Sequence, residues 1–177
     1  MAVFPPDAAY SGDPVYRLMG NSPVVLFRAV PVLAEAVRML TEHGWQIVRL
    51  DAALWRDVSG FHTAVASALD FPDYYGRNFN AFVDCLRDVV DQDYGWSASS
   101  EGLAMVFEHF DEFARSDAES AHAVLDILAG ASWDAALFGR RLMVLAQSGD
   151  PWISFAGVGA RPVVWNEAEW LNRNRID

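Results

Sequence analysis

Lysine is absent from this 177-residue chain, and all thirteen basic residues are arginine. That bias reads as a habit of the coding genome, not as function. Bases are also scarce: 24 acids leave a formal charge of −11. Such a surface repels phosphate backbones and attracts cationic ones, so direct binding of DNA or RNA is not expected. Cysteine occurs once, at Cys85. An intramolecular disulfide is therefore excluded, and a cysteine-built zinc site nearly so. The four histidines (His43, His62, His109 and His122) are scattered without metal-ligand spacing. No metal and no cofactor is expected. No apolar run reaches the roughly eighteen residues that a membrane helix needs. The opening "MAVFPPDAAYSGDPVY" lacks a basic stretch followed by an apolar one, so the expected location is the cytoplasm.

Apolar residues are plentiful, at 53%, and aromatics reach 13%. A chain of this length and composition buries a sizeable core, and one domain over residues 1–177 is expected. Residues 1–22, rich in Pro, Gly, Asp and Tyr, read as an extended arm. "PVVLFRAV" reads as a strand. "PVLAEAVRMLTEHG" reads as a helix with Pro31 in its first turn and Gly44 at its C-terminal cap. "WQIVRLDA" is a second strand, and "SGFHTAVASALDF" a short helix ended by Pro72. Asn78 is placed to cap the next helix. At 100° per residue, Phe79, Phe82, Val83, Leu86, Val89 and Val90 fall on one of its faces. Asn80, Asp84, Arg87 and Asp88 fall on the other. "LAMVFEHF" and "RRLMVLAQS" are near-continuous apolar runs, the pattern of buried parallel strands. Between them "DEFARSDAES" reads as a turn into the helix "AHAVLDILAGASWDAAL". Residues 150–177 leave room for one more short strand or hairpin. Strands alternating with helices give an α/β fold with a small, mainly parallel sheet.

Catalytic signatures are sparse. There is no G-x-S-x-G elbow and no phosphate-cradling glycine loop with lysine. "GVGARP" has too few glycines for a dinucleotide fingerprint and reads as a tight turn. Cys85 lies toward the buried side of its helix and reads as core. His62, beside Phe61, reads as a structural histidine, and the acids of "FEHFDEF" as a solvated strand end. The chain is therefore not expected to be an enzyme. Asp84 has two readings. It is one more exposed acid in an acidic protein, or it is a carboxylate held rigidly to enter a cationic pocket in place of a phosphate. Tyr74 and Tyr75, just before the helix, favour the second, because tyrosines bury contact area at low entropic cost.

The segment "GFHTAVASALDFPDYYGRNFNAFVDCL" closely resembles the barstar family of ribonuclease inhibitors, with PxYYGxN as its most specific part. The resemblance runs over residues 45–149, leaving 23–44 and 150–177 as extensions able to add strands. It implies that the tyrosine–helix element plugs a ribonuclease active site whose cationic groups normally hold RNA phosphates. Carried over, Tyr74 matches the tyrosine that stacks on the catalytic histidine, Gly76 the loop glycine, and Asp84 the aspartate that fills the phosphate site. Phe79 stands where the family prototype has a contacting leucine. Tyr75, Asn78, Asp88 and Asp126 complete the expected partner-binding set, with Asn80 and Val83. The sequence also departs from the prototype. Asn80 replaces a contacting aspartate, and Val83 a contacting tryptophan. Gly130 stands where a contacting glutamate aligns, although Asp126 lies one turn earlier. Arg87 adds positive charge beside Asp84. The expected function is intracellular inhibition of a basic, extracellular-type ribonuclease or toxin. The alternative is an interaction or regulatory module whose partner is not a nuclease.

Overall fold

The structure, a computed structural model, describes residues 14–176. Five strands form one sheet: β1 (Val24–Phe27), β2 (Gln46–Asp51), β3 (Leu103–Glu108), β4 (Leu142–Gln147) and β5 (Val164–Trp165). Their spatial order is β2-β3-β4-β1-β5, and every ladder is parallel. Six helices accompany them: α1 (Pro14–Met19), α2 (Val30–Glu42), α3 (Val58–Ala68), α4 (Phe79–Asp91), α5 (Phe110–Ser116) and α6 (Ala118–Leu137). The expected α/β class with strands added from both extensions is what forms.

Strand direction decides which helix covers which face. The chain steps from β2 to β3 through α3 and α4, and from β3 to β4 through α5 and α6. From β1 to β2 it steps the other way. Right-handed crossovers then require α2 to lie on the opposite face. Alternation along the strands matches. Val24, Leu26, Met105, Phe107, Val144 and Ala146 point into a core with α3 to α6. Val25, Phe27, Ala104, Val106, Met143 and Leu145 point into a second core with Leu33, Val37 and Leu40 of α2. Both faces of β1 and β4 are thus covered, which is why these strands are apolar at nearly every position.

Local signals explain most boundaries. Gly44, at φ +77°, follows α2, where Trp45 N–H donates to the Leu40 carbonyl and Gly44 N–H to Thr41, closing a Schellman cap. Helix α3 stops earlier than Pro72 requires. Asp70 adopts φ +52° and Phe71 N–H reaches back to the Ala66 carbonyl, so the left-handed residue ends the helix before the proline acts. The expected turn at "DEFARSDAES" is mostly helical: α5 occupies Phe110–Ser116, and Asp117 caps α6 by accepting from Ser120 N–H at 2.9 Å. Within the expected arm, residues 1–13 lie outside the described range. Its next part is not extended, for α1 begins at Pro14 and Val15 is buried in the second core.

Candidate functional site

The two tyrosines before α4 face opposite ways. Tyr75 is 8% exposed and Tyr74 is 79% exposed. Tyr75 N–H donates to the Pro72 carbonyl at 2.9 Å, which tightens the loop. Its ring meets Phe71 edge-on, with centroids 4.8 Å apart, and its hydroxyl lies 2.5 Å from Nδ1 of buried His62. Burial lowers the His62 pKa, helped by the charge of Arg77, and burial likewise raises that of Tyr75. Tyr75, expected at the partner surface, is instead the inward anchor that roots the loop. Asn78 is also structural. Its Oδ1 accepts from Ala81 N–H at 3.0 Å as the α4 cap, and its Nδ2 donates to the Gly76 carbonyl at 3.2 Å.

Gly76 lies in close quarters. A Cβ there would lie 3.0 Å from the capping amide of Asn78. The left-handed conformation of this loop falls on Arg77, at φ +50°. Sequence reading gave Arg77 no role, and a non-glycine residue in that region carries no local signature.

Helix α4 buries Phe82, Cys85, Leu86, Val89 and Val90. Phe79 is half-buried against His62, with ring centroids 5.4 Å apart, and Val83 is half-buried. Asn80, Asp84 and Arg87 are exposed. The Asp84 side chain is 74% exposed, and one of its oxygens accepts from Arg87 at 3.1 Å. A pair this exposed contributes at most about 1 kcal/mol and weakens in salt, so it yields readily to a competing cation. Asp88 is half-buried, and its carboxylate accepts from the Tyr94 hydroxyl at 3.0 Å, which turns it toward its own chain.

Asp126 stands exposed on α6, with one oxygen accepting from Gly159 N–H at 2.9 Å. The "GVGARP" segment is the expected tight turn. Val158 and Arg161 pair antiparallel, and Gly159 and Ala160 both have positive φ, the type I′ pattern. Trp133 Nε1–H donates to the Gly159 carbonyl at 3.0 Å, and Arg161 lies over the Trp133 ring. The turn is thereby clamped onto α6. Between α4 and α6 opens a cleft of about 240 Å³, walled by Val83, Leu86, Val90, Ile127, Gly130 and Ala131 and rimmed by Arg87, Asp126 and Asp134. Asp134 was not among the expected residues. Its spacing of four from Gly130 and eight from Asp126 puts it on the same helical stripe.

The rest of the molecule offers less. His109 pairs with Asp51 at 2.8 Å, which holds its pKa above the usual value. Cys85 is buried. Among the described residues no cluster of His, Cys, Asp and Glu is arranged to hold a metal, and no helix is long and apolar enough to cross a membrane. A larger cavity, about 550 Å³, lies where α1 and α2 meet the β5 edge, lined by residues outside the 45–149 region.

Comparison with known proteins matches residues 45–147 to the family described as Barstar (barnase inhibitor). One curated relative is a Bacillus subtilis (strain 168) protein named "Putative ribonuclease inhibitor YrdF". It is 43% identical over 42 residues, which is 24% of this chain and 46% of that protein. The chain thus spans about half the length of the curated relative that it matches.

Proposed function

The chain belongs to the barstar family, and on that premise we propose that it inhibits a basic ribonuclease or related toxin by occluding the active site. The observation that carries this reading is the joint exposure of Asp84 and Tyr74. Both are exposed, and both stand on a frame fixed by Tyr75, Asn78 and the buried face of α4. A rigid carboxylate enters a cationic phosphate pocket without ordering cost, and an exposed tyrosine supplies flat area for stacking. Phe79, Asn80 and Val83 flank them, and Asp126 extends the surface on α6. The protein acts as an immunity or inhibitor protein in the cytoplasm, is not an enzyme, and needs no cofactor. Its charge of −11 speeds association with a basic partner.

A calorimetric titration against a panel of basic microbial ribonucleases at low salt, with RNA cleavage followed alongside, tests this. The expected result is one-to-one binding with lost cleavage, and an association rate that falls as salt rises. Binding without loss of cleavage would refute occlusion.

One observation favours a second reading. Arg87 pairs with Asp84, and Asn80 carries no charge, so the centre of the surface is less acidic than a generic phosphate mimic. A regulatory module with a non-nuclease partner accounts for that, and absence of binding across the whole panel would favour it or a dedicated toxin partner.

A further inference from the structure

We propose that the cleft between α4 and α6 is a socket for one bulky apolar side chain of a basic protein partner. The inference rests on the inhibitor reading and names what such a partner carries beside the cationic pocket for Asp84.

Gly130 is the first argument. It sits in the middle of a twenty-residue helix, where glycine costs about 0.5–1 kcal/mol relative to alanine. A Cβ at Gly130 would meet nothing within 4 Å among the described residues. Other glycines of this chain are forced by their neighbours. A Cβ at Gly102 would lie 2.7 Å from the Trp45 ring, and one at Gly60 2.9 Å from the Trp55 backbone. Packing within the molecule does not call for glycine at position 130. Its missing side chain keeps the cleft open.

Size and walls fix the class of occupant. The walls are aliphatic, from Val83, Leu86 and Val90 on one side and Ile127 and Ala131 on the other. At about 240 Å³ the space lies below the range of small-molecule pockets, roughly 300–1,000 Å³, and suits a single side chain.

Position and charge fix the partner. Val83 precedes Asp84, and Arg87, on the rim, holds Asp84. A partner of ordinary interface size, about 800 Å² a side, that covers Asp84 also reaches the cleft. Arg87 is turned to Asp84, which leaves Asp126 and Asp134 to set the sign of the opposite rim. An apolar anchor flanked by basic residues is complementary to that arrangement, a dry centre inside a polar rim.

The test uses the full chain, ¹⁵N-labelled, titrated with the peptide acetyl-Lys-Trp-Lys-amide. The expected result is amide shifts concentrated at Val83, Val90, Ile127 and Ala131. Gly130→Leu and Val83→Trp, which fill the cleft from opposite walls, abolish those shifts. Thermal unfolding of each variant checks that it folds. Asp84→Ala leaves the peptide shifts in place while weakening ribonuclease binding, so the socket and the inhibitor reading fail separately. No shifts up to about 5 mM peptide, a free energy weaker than roughly −3 kcal/mol, would overturn the socket. Shifts that survive both fillings would overturn it equally.

Discussion

Two adjacent tyrosines do opposite work in this loop. Tyr75 is buried against Phe71 and His62, and Tyr74 stands in solvent. Tyr75→Phe leaves His62 Nδ1 without its partner in a dry site, and is expected to cost about 1–3 kcal/mol in urea unfolding. Tyr74→Ala is expected to change stability by less than about 0.5 kcal/mol while lowering ribonuclease affinity. The pKa values of His62 and His109 are displaced in opposite directions. His62 has a pKa lowered in the fold, so the unfolded chain binds more protons. Its neutral burial costs nothing above the unfolded value near 6.5, and it destabilises the fold as pH drops below that value. His109 has a raised pKa, and its pairing with Asp51 contributes below the unfolded value and fades as pH rises through the folded one. An NMR titration of the imidazole protons is expected to find His109 protonated while His62 remains neutral. At this scale Asn78 was legible, because a cap is a local signal. The direction of Tyr75 was not, because in the sequence both tyrosines of the pair look alike and only His62, thirteen residues earlier, decides which turns inward.

Helices with a strong stripe were the most legible elements. The apolar positions of α4 recur at three and four, and four of the six, Phe82, Leu86, Val89 and Val90, are buried, while Phe79 and Val83 are half-buried. Helix α5 was missed because its polar residues, Asp111, Glu112, Arg115 and Ser116, hide the buried Phe110 and Phe113. Helix α2 lacks a side-chain cap of its own. Glu169, buried 140 residues away in sequence, accepts from Arg28 N–H at 2.8 Å and Ala29 N–H at 2.7 Å and closes that end. A carboxylate at a helix N-terminus is favoured by the helix dipole and by charge-assisted hydrogen bonds. Glu169→Ala is expected to destabilise the protein by about 1–3 kcal/mol, read by chemical denaturation, because two part-buried donors lose their acceptor. No local pattern could have announced this contact.

Extensions to the family region become part of the sheet. Strand β1 enters beside β4, β5 closes that edge, and α2 seals the second face. The α/β class was legible from alternating elements, but the insertion of β1 next to the last long strand was not, since pairing order is a long-range property. The proposed partner surface lies on the opposite side of the sheet from α2, on α4, α6 and the clamped turn at Gly159. Among the described residues the 150–177 extension reaches the proposed site through that turn, which takes up one oxygen of Asp126. The proposed inhibition depends on Asp84 entering a ribonuclease active site. The direct measurement is the inhibition constant for RNA cleavage by a ribonuclease that the native chain blocks, repeated with Asp84→Ala and Asp88→Ala. The expected result is a rise of about thirtyfold or more for Asp84→Ala, equal to roughly 2 kcal/mol, and a much smaller change for Asp88→Ala. Equal small changes in both variants would contradict the account.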